Sequence, residues 1–362
     1  MASQRIEYID YLKGLTVVLV VWFHATYHPA FLDFPFRMPL FFFVSGVFFK
    51  AYPWPVFWRK KVNQLFIPFL FFMGLAVGYE LIAGGDILQR DIIGMFGDAY
   101  RDVFAIHDQY NGLKYNPPLW FIMSLIDIQL MLYVLKRFIK STRVLFILSL
   151  CITVAGELWI QWLPTFFMFG DACGHFFYYV AGCVAGRRFM NMIDRDYSTT
   201  RRWFSIVGLC VAVCVVAFGI EKTVTKLHLM PEWFPIWILR FPRICALIPL
   251  CILLMKRLYM LPVLQPLKFF GANSYVVLGT HWMLIRGLFE GTLYHDIIGR
   301  TPGLLESCGL TLLTLLIIAG LAVLFNRFIP MLVAKKEVFP IERMTEDKTA
   351  GDVDVIKEIE TI

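Results

Sequence analysis

Apolar runs of close to 20 residues recur from Leu15 to the 320s of this chain, and runs of that length leave few folds open. A backbone that crosses hydrocarbon must satisfy its own amide groups, and a helix of about 20 residues does so over the thickness of a bilayer. A soluble domain of 362 residues would show polar faces on most helices, yet 59% of these residues are hydrophobic. The expected fold class is all-α: a polytopic integral membrane protein.

The hydropathy pattern places spans at Tyr11 to His28, Phe36 to Phe49, Leu65 to Ile82, Leu119 to Leu135, Val144 to Trp162, Phe166 to Gly186, Trp203 to Ile220, Ile236 to Met255, Ser274 to Phe289 and Leu304 to Phe325. That makes about ten transmembrane helices. The second is short, and Pro35 and Pro39 at its start suit a tilted, broken or re-entrant segment. The first run lacks a small-residue cleavage site and is followed almost at once by another, so it is expected to stay in the mature protein.

Basic residues gather on the cytoplasmic side of a bilayer. With the amino terminus inside, 24 of the 34 Lys and Arg residues fall on that side, so both termini are expected to be cytoplasmic. The net charge of +7 then reports topology, and no nucleic-acid partner is implied. Residues 1–330 form the expected transmembrane domain, and residues 331–362 a charged cytoplasmic tail that reads as solvated and dispensable for chemistry. The longest non-cytoplasmic loop, about Ala83 to Pro118, is mixed polar and aromatic, as in a lid, a glycan-contacting surface or an ordinary ordered loop. All eight cysteines lie in apolar segments without a Cys-x-x-Cys pair, and read as small buried hydrophobes rather than metal ligands or disulfides.

The first span carries ionisable groups, which are costly in hydrocarbon. Eleven residues separate Lys13 from His24; at about 100° per residue the two return to one stripe of the helix, with a rise of roughly 16 Å. Asp10 precedes Lys13 by three residues, where a carboxylate and an ammonium can pair. Lys13 could equally snorkel, and His24 hydrogen-bond a neighbouring helix. His28, one turn beyond His24, makes an i, i+4 pair that could bind a metal, but no acidic or cysteine ligands complete a set, and no metal is expected.

"DYLKGLTVVLVVWFH" resembles the Lys/Arg-x10-His first-helix signature of the membrane acyltransferase type-3 family, integral enzymes that acylate sugars and related acceptors. "FRMPLFFFVSGVFF" is similar to that family's second segment, and "RKKVNQLFIPFLFF" to the basic stretch and proline that open its third. "PPLWFIMSL" resembles its Leu-Trp-Phe element, and "NSYVVLGTHWMLI" its late Tyr-to-His helix. The resemblance implies that His24 is the catalytic histidine, as general base or transient acyl carrier, with Lys13 as the basic partner of the signature and Asp10 beside it. Lys stands where many members have Arg, which keeps the charge and loses the bidentate fork.

The resemblance also implies an acyl-CoA donor, acetyl-CoA most often, whose phosphates would stay near Arg59, Lys60 and Lys61. Topology alone accounts equally for those three. Ser45, paired with Gly46 in the second motif, and His281 in the late helix are candidate substrate-binding residues; for Ser45-Gly46 close helix packing is the competing reading. Glu80, Asp127, Gln129, Glu157 and His175 are further polar groups in or near spans, most of them expected to be structural. Gly182 and Gly186 form a small-xxx-small pair suited to helix packing within or between chains.

The function expected is that of an O-acyltransferase, an O-acetyltransferase in particular, at a bacterial inner membrane. Its acceptor would be a glycan or lipid-linked saccharide, and its other partners membrane lipids. A transporter or flippase for such a substrate is the alternative, although repeated halves with broken helices are not evident. A non-catalytic membrane scaffold is the third reading, and the intact Lys13 and His24 argue against it.

Overall fold

A computed structural model describes residues 7–25, 35–83, 92–104, 106–107, 113–162, 165–196, 200–227 and 237–340. The described architecture is helical apart from one short ladder. In chain order the helices are α1 (Glu7–His24), α2 (Arg37–Val47), α3 (Trp54–Lys61), α4 (Ile67–Ala83), α5 (Ile92–Phe104), α6 (Trp120–Phe138) and α7 (Thr142–Trp162), followed by α8 (Phe169–Ala181), α9 (Arg187–Asp196), α10 (Thr200–Lys226), α11 (Trp237–Leu258), α12 (Gln265–Ala272), α13 (Ser274–Trp282) and α14 (Leu304–Phe328). The extended structure described is one two-residue antiparallel ladder, β1 (Ile106–His107) against β2 (Thr165–Phe166).

Each expected span meets a helix. Among the described residues, six helical stretches are long and apolar enough to cross a membrane: Trp54–Ala83, Pro117–Phe138, Thr142–Trp159, Arg202–Lys226, Trp237–Leu258 and Leu304–Phe328. The others miss that measure for visible reasons. α1 carries Glu7, Asp10 and Lys13, and α2 has 11 residues; α8 and α13, continued through their π-helical turns, are long enough but carry polar groups, Asp171 and His175 in the one and His281, Arg286 and Glu290 in the other. Together the apolar helices make this a multi-pass membrane protein.

Three helices continue through wide π-helical turns. Val62–Phe66 joins α3 to α4, Gly182–Gly186 joins α8 to α9, and Met283–Ile298 extends α13. The first has a local cause: Pro68 has no amide hydrogen to give to the turn before it, and a wider turn absorbs the lost bond. The helix therefore begins at Trp54, well before the expected Leu65, and takes Arg59, Lys60 and Lys61 into itself.

Glycines fix how the central helices meet. A Cβ on Gly14 of α1 would overlap the backbone carbonyl of Leu267 in α12, and one on Gly271 of α12 would overlap that of Asp10 in α1. A second reciprocal pair joins α2 to α8, Gly46 against the Tyr179 carbonyl and Gly182 against that of Phe43. Backbones approach this closely only where both surfaces lack a side chain. Gly182 and Gly186 thus pack within the chain, Gly186 against Val47. Around these contacts lies one continuous apolar core that includes Leu12, Val17, Phe42, Phe69, Phe121, Phe176 and Val277. α10 stands at the periphery, with Leu209, Val211, Val215, Val216 and Ile220 exposed as lipid-facing residues are.

After α14 the chain turns back. Asn63, buried in the first π-helical turn, donates from Nδ2 to the Phe339 carbonyl (2.8 Å) and accepts at Oδ1 from the amides of Val338 (3.1 Å) and Phe339 (3.0 Å). Lys335 Nζ donates to the Ala272 carbonyl at the end of α12 (2.7 Å), and Val333 is buried. Residues 329–340 thereby strap α12 to α3 at one end of the bundle; residues 341–362 of the expected tail lie outside the described residues. Asn63→Ala leaves these strap amides unmatched, at a cost of about 1–3 kcal/mol. Limited proteolysis should then cut within residues 329–340 faster than in the parent protein.

Candidate active site

α1 and α2 run side by side in opposite directions. Arg37, at the start of α2, stacks its guanidinium carbon 3.8 Å from the ring centre of Phe23 near the end of α1. Phe48, just past the end of α2, lies 5.5 Å from Lys13 Nζ. Lys13 and His24 therefore mark opposite ends of one helix pair, as the eleven-residue spacing requires.

His24, half-buried, is the last residue of α1 and faces α13. Its ring centre is 5.3 Å from that of His281, with the planes inclined at 39°, and 5.2 Å from that of Trp282, which meets it edge-on at 85°. His281 is fully buried, and its Nδ1 lies 2.7 Å from the Val277 carbonyl one turn earlier. A carbonyl can only accept, so Nδ1 carries the hydrogen and Nε2 keeps its lone pair. That Nε2 is buried and has no hydrogen-bond partner among the described residues.

The position of α13 is set from two sides. Asn116, fully buried just before the Pro-Pro-Leu-Trp-Phe stretch, donates from Nδ2 to the Gly279 carbonyl at 2.8 Å. Gly279 itself lies against the ring of Phe72 in α4, where a Cβ would not fit. Beyond Trp282 the helix widens into its π-helical continuation, a geometry frequent at functional sites. Segments far apart in the sequence thus converge on the His24 end: the end of α1, the start of α2, the approach to α6 and the middle of the α13 helix.

The opposite end is basic and aromatic. Lys13, Lys60 and Lys136 each lie near a ring of the chain between α2 and α3, and Lys61 near one within α3. Lys60 Nζ is 3.6 Å from the centre of Tyr52, Lys61 Nζ is 5.0 Å from that of Phe57, and Lys136 Nζ is 5.5 Å from that of Phe49. Phe49 and Phe57 in turn pack on each other at 6.4 Å. Arg59 turns instead to the strap, its Nη1 3.5 Å from the Pro340 carbonyl.

Of the residues singled out from sequence, the structure brings His24 and His281 together and gathers Lys13, Lys60 and Lys61 about 48–57. Ser45 lies on α2 toward the Lys13 end, where its carbonyl accepts from the Phe48 amide at 3.3 Å. Asp10 stands one turn before Lys13, with its backbone against Gly271. His28 lies outside the described residues. His175 belongs to a separate aromatic group, with ring centres 4.9 Å from Phe42 and 5.5 Å from Trp120. Sequence reasoning missed Trp282, Asn116 and the Arg37–Phe23 stack. Only Trp282 carried a signal, through its place next to His281.

Two imidazoles and an indole at one end of a helix, with cations at the other, can accept a proton from a hydroxyl and hold an anionic molecule. No curated protein and no solved structure matches the chain. A family model described as an acyltransferase domain matches residues 6–323, a stretch that contains both ends of this site. The chain belongs to the membrane acyltransferase type-3 family.

Proposed function

We propose that this acyltransferase is an O-acetyltransferase, moving the acetyl group of acetyl-CoA to a hydroxyl of a glycan or lipid-linked saccharide at the inner membrane of a bacterium. The observation that carries this reading is the His24, His281 and Trp282 cluster, set at the far end of the helix from the basic group around Lys13. In this reading the chain crosses the membrane ten times, with both termini cytoplasmic. Lys13, Arg59, Lys60 and Lys61 then face the compartment that supplies acetyl-CoA, and receive its phosphates as charge-assisted hydrogen bonds. Asp10 is the carboxylate placed to hold the Lys13 ammonium. The pantetheine arm spans the roughly 16 Å to His24.

There, neutral His24 takes the proton of the acceptor hydroxyl while the hydroxyl oxygen attacks the thioester carbonyl. As the tetrahedral intermediate collapses, the C–S bond breaks, and the CoA thiolate recovers the proton from the His24 imidazolium. The products are the acetyl ester and free CoA. His281, with Nε2 as a fixed acceptor, holds the substrate through a second, neighbouring hydroxyl and leaves the one hydrogen of the attacking hydroxyl to His24.

The test uses purified protein in nanodiscs with deuterated acetyl-CoA and cell-envelope glycan, read by mass spectrometry of the glycan. An acetyl-sized, deuterium-labelled addition supports the proposal. Movement of the glycan across a bilayer without acyl transfer would replace it with a transport function. Direct transfer further predicts no acetylated peptide containing His24 when enzyme meets donor alone; a rapid burst of such an adduct would instead make His24 a covalent carrier. His281→Gln should lower kcat by about 100-fold with unchanged protein yield, checked by initial rates at saturating donor.

A further inference from the structure

The outer hairpin of α10 and α11 holds an ion cluster that the acyl-transfer site does not use. Glu221, buried with a side chain only 6% exposed, meets Arg240 Nε at 2.8 Å and Arg243 Nη2 at 2.9 Å. Two guanidinium groups against one carboxylate leave a surplus positive charge, and Arg243 Nε is buried without a hydrogen-bond partner among the described residues. Lys222 adds another cation 5.4 Å from the centre of the Phe218 ring, the ring over which Arg243 also lies, at 5.2 Å. From 221 to 243 the sequence holds Lys222, Lys226, Arg240 and Arg243 against Glu221 and Glu232. A surplus charge at the edge of hydrocarbon is costly unless a counter-charge completes it.

Beside the cluster runs an apolar groove of about 370 Å³, lined on α10 by Ala212, Val213, Val216 and Ala217 and on α11 by Leu239 and Pro242. Glu221, Arg240 and Arg243 adjoin these residues in sequence and continue the same helix faces toward the seam. α10 turns further apolar side chains outward beside the groove, Val211 and Val215 among them, so the groove opens sideways to the bilayer. Its occupant therefore comes from the membrane. An apolar slot for a chain beside a surplus of cations matches the two halves of one molecule.

We propose that the α10–α11 groove binds a bilayer phospholipid with an anionic headgroup, one acyl chain lying along Ala212 to Ala217 and the phosphate against Arg240. The test is native mass spectrometry of the full-length protein from micelles doped with equal phosphatidylglycerol and phosphatidylcholine. Wild type should retain phosphatidylglycerol in preference. Arg240→Gln, which keeps the Glu221–Arg243 pair, should reduce that preference about fivefold. Ala212→Trp, which fills the groove from an exposed position without altering charge, should abolish retention of either lipid at this site. Equal retention of both lipids by wild type, or an unaltered preference in both variants, would overturn the assignment. Preferential retention of an added polyprenyl phosphate would also overturn it, by naming a single-chain carrier lipid as the occupant.

Discussion

Alanine at position 24 is expected to lower acyl transfer by at least about 100-fold, the usual scale for loss of a general base. The amount of membrane-inserted protein should not change. His24 ends α1 and is half-buried, whereas the contacts that seat the helix lie earlier, at Gly14 and along Tyr8 to Val21. The measurement is the initial rate of glycan acetylation by equal amounts of wild type and His24→Ala. A variant that keeps more than about a third of the rate would remove His24 from the chemistry and leave its contact with His281 a matter of packing.

The second large effect concerns the seat itself. Gly271→Val places a branched side chain where the Asp10 carbonyl and the Gly14 amide already stand. Because the obstacle is backbone, no rotamer change relieves it, and α12 must move away from α1. Overpacking on this scale costs about 3 kcal/mol or more, a large share of the margin by which a folded protein is stable. The yield of monodisperse protein on size-exclusion chromatography should collapse. Gly219→Val is the matched control, since nothing lies within 4 Å of its Cβ position on α10. Equal yields from the two variants would mean that α12 does not dock on α1 at Gly271.

The sequence made the helices and the Lys13 to His24 stripe legible because both are periodic: a run of apolar residues and a spacing of eleven report one helix without reference to any other. The count of crossings was less so. α1 mixes charge with apolar residues, α2 is short, and the α8 and α13 stretches carry polar groups, so length and composition single out six spans among the described residues. What met His24 was invisible, because His281 lies 257 positions away and a lone histidine in an apolar helix does not announce its neighbour. The Gly14–Gly271 contact was hidden for a similar reason, since α12 is an eight-residue helix with no hydropathy signal of its own. The strap misled more directly. Its lysines read as a solvated tail, yet Lys335 anchors it to Ala272 and the rest is held through its backbone amides and carbonyls, which every sequence possesses and none advertises.

That strap changes how the protein should be handled at the bench. A fluorescent tag or topology reporter joined at Lys335 would remove the partners of Asn63 and Arg59, so a signal from such a fusion would describe a protein with one end opened. Joined after Pro340, the same reporter leaves every described bond of the strap in place. Affinity tags, crystallisation chaperones and truncations should be planned from that residue onward.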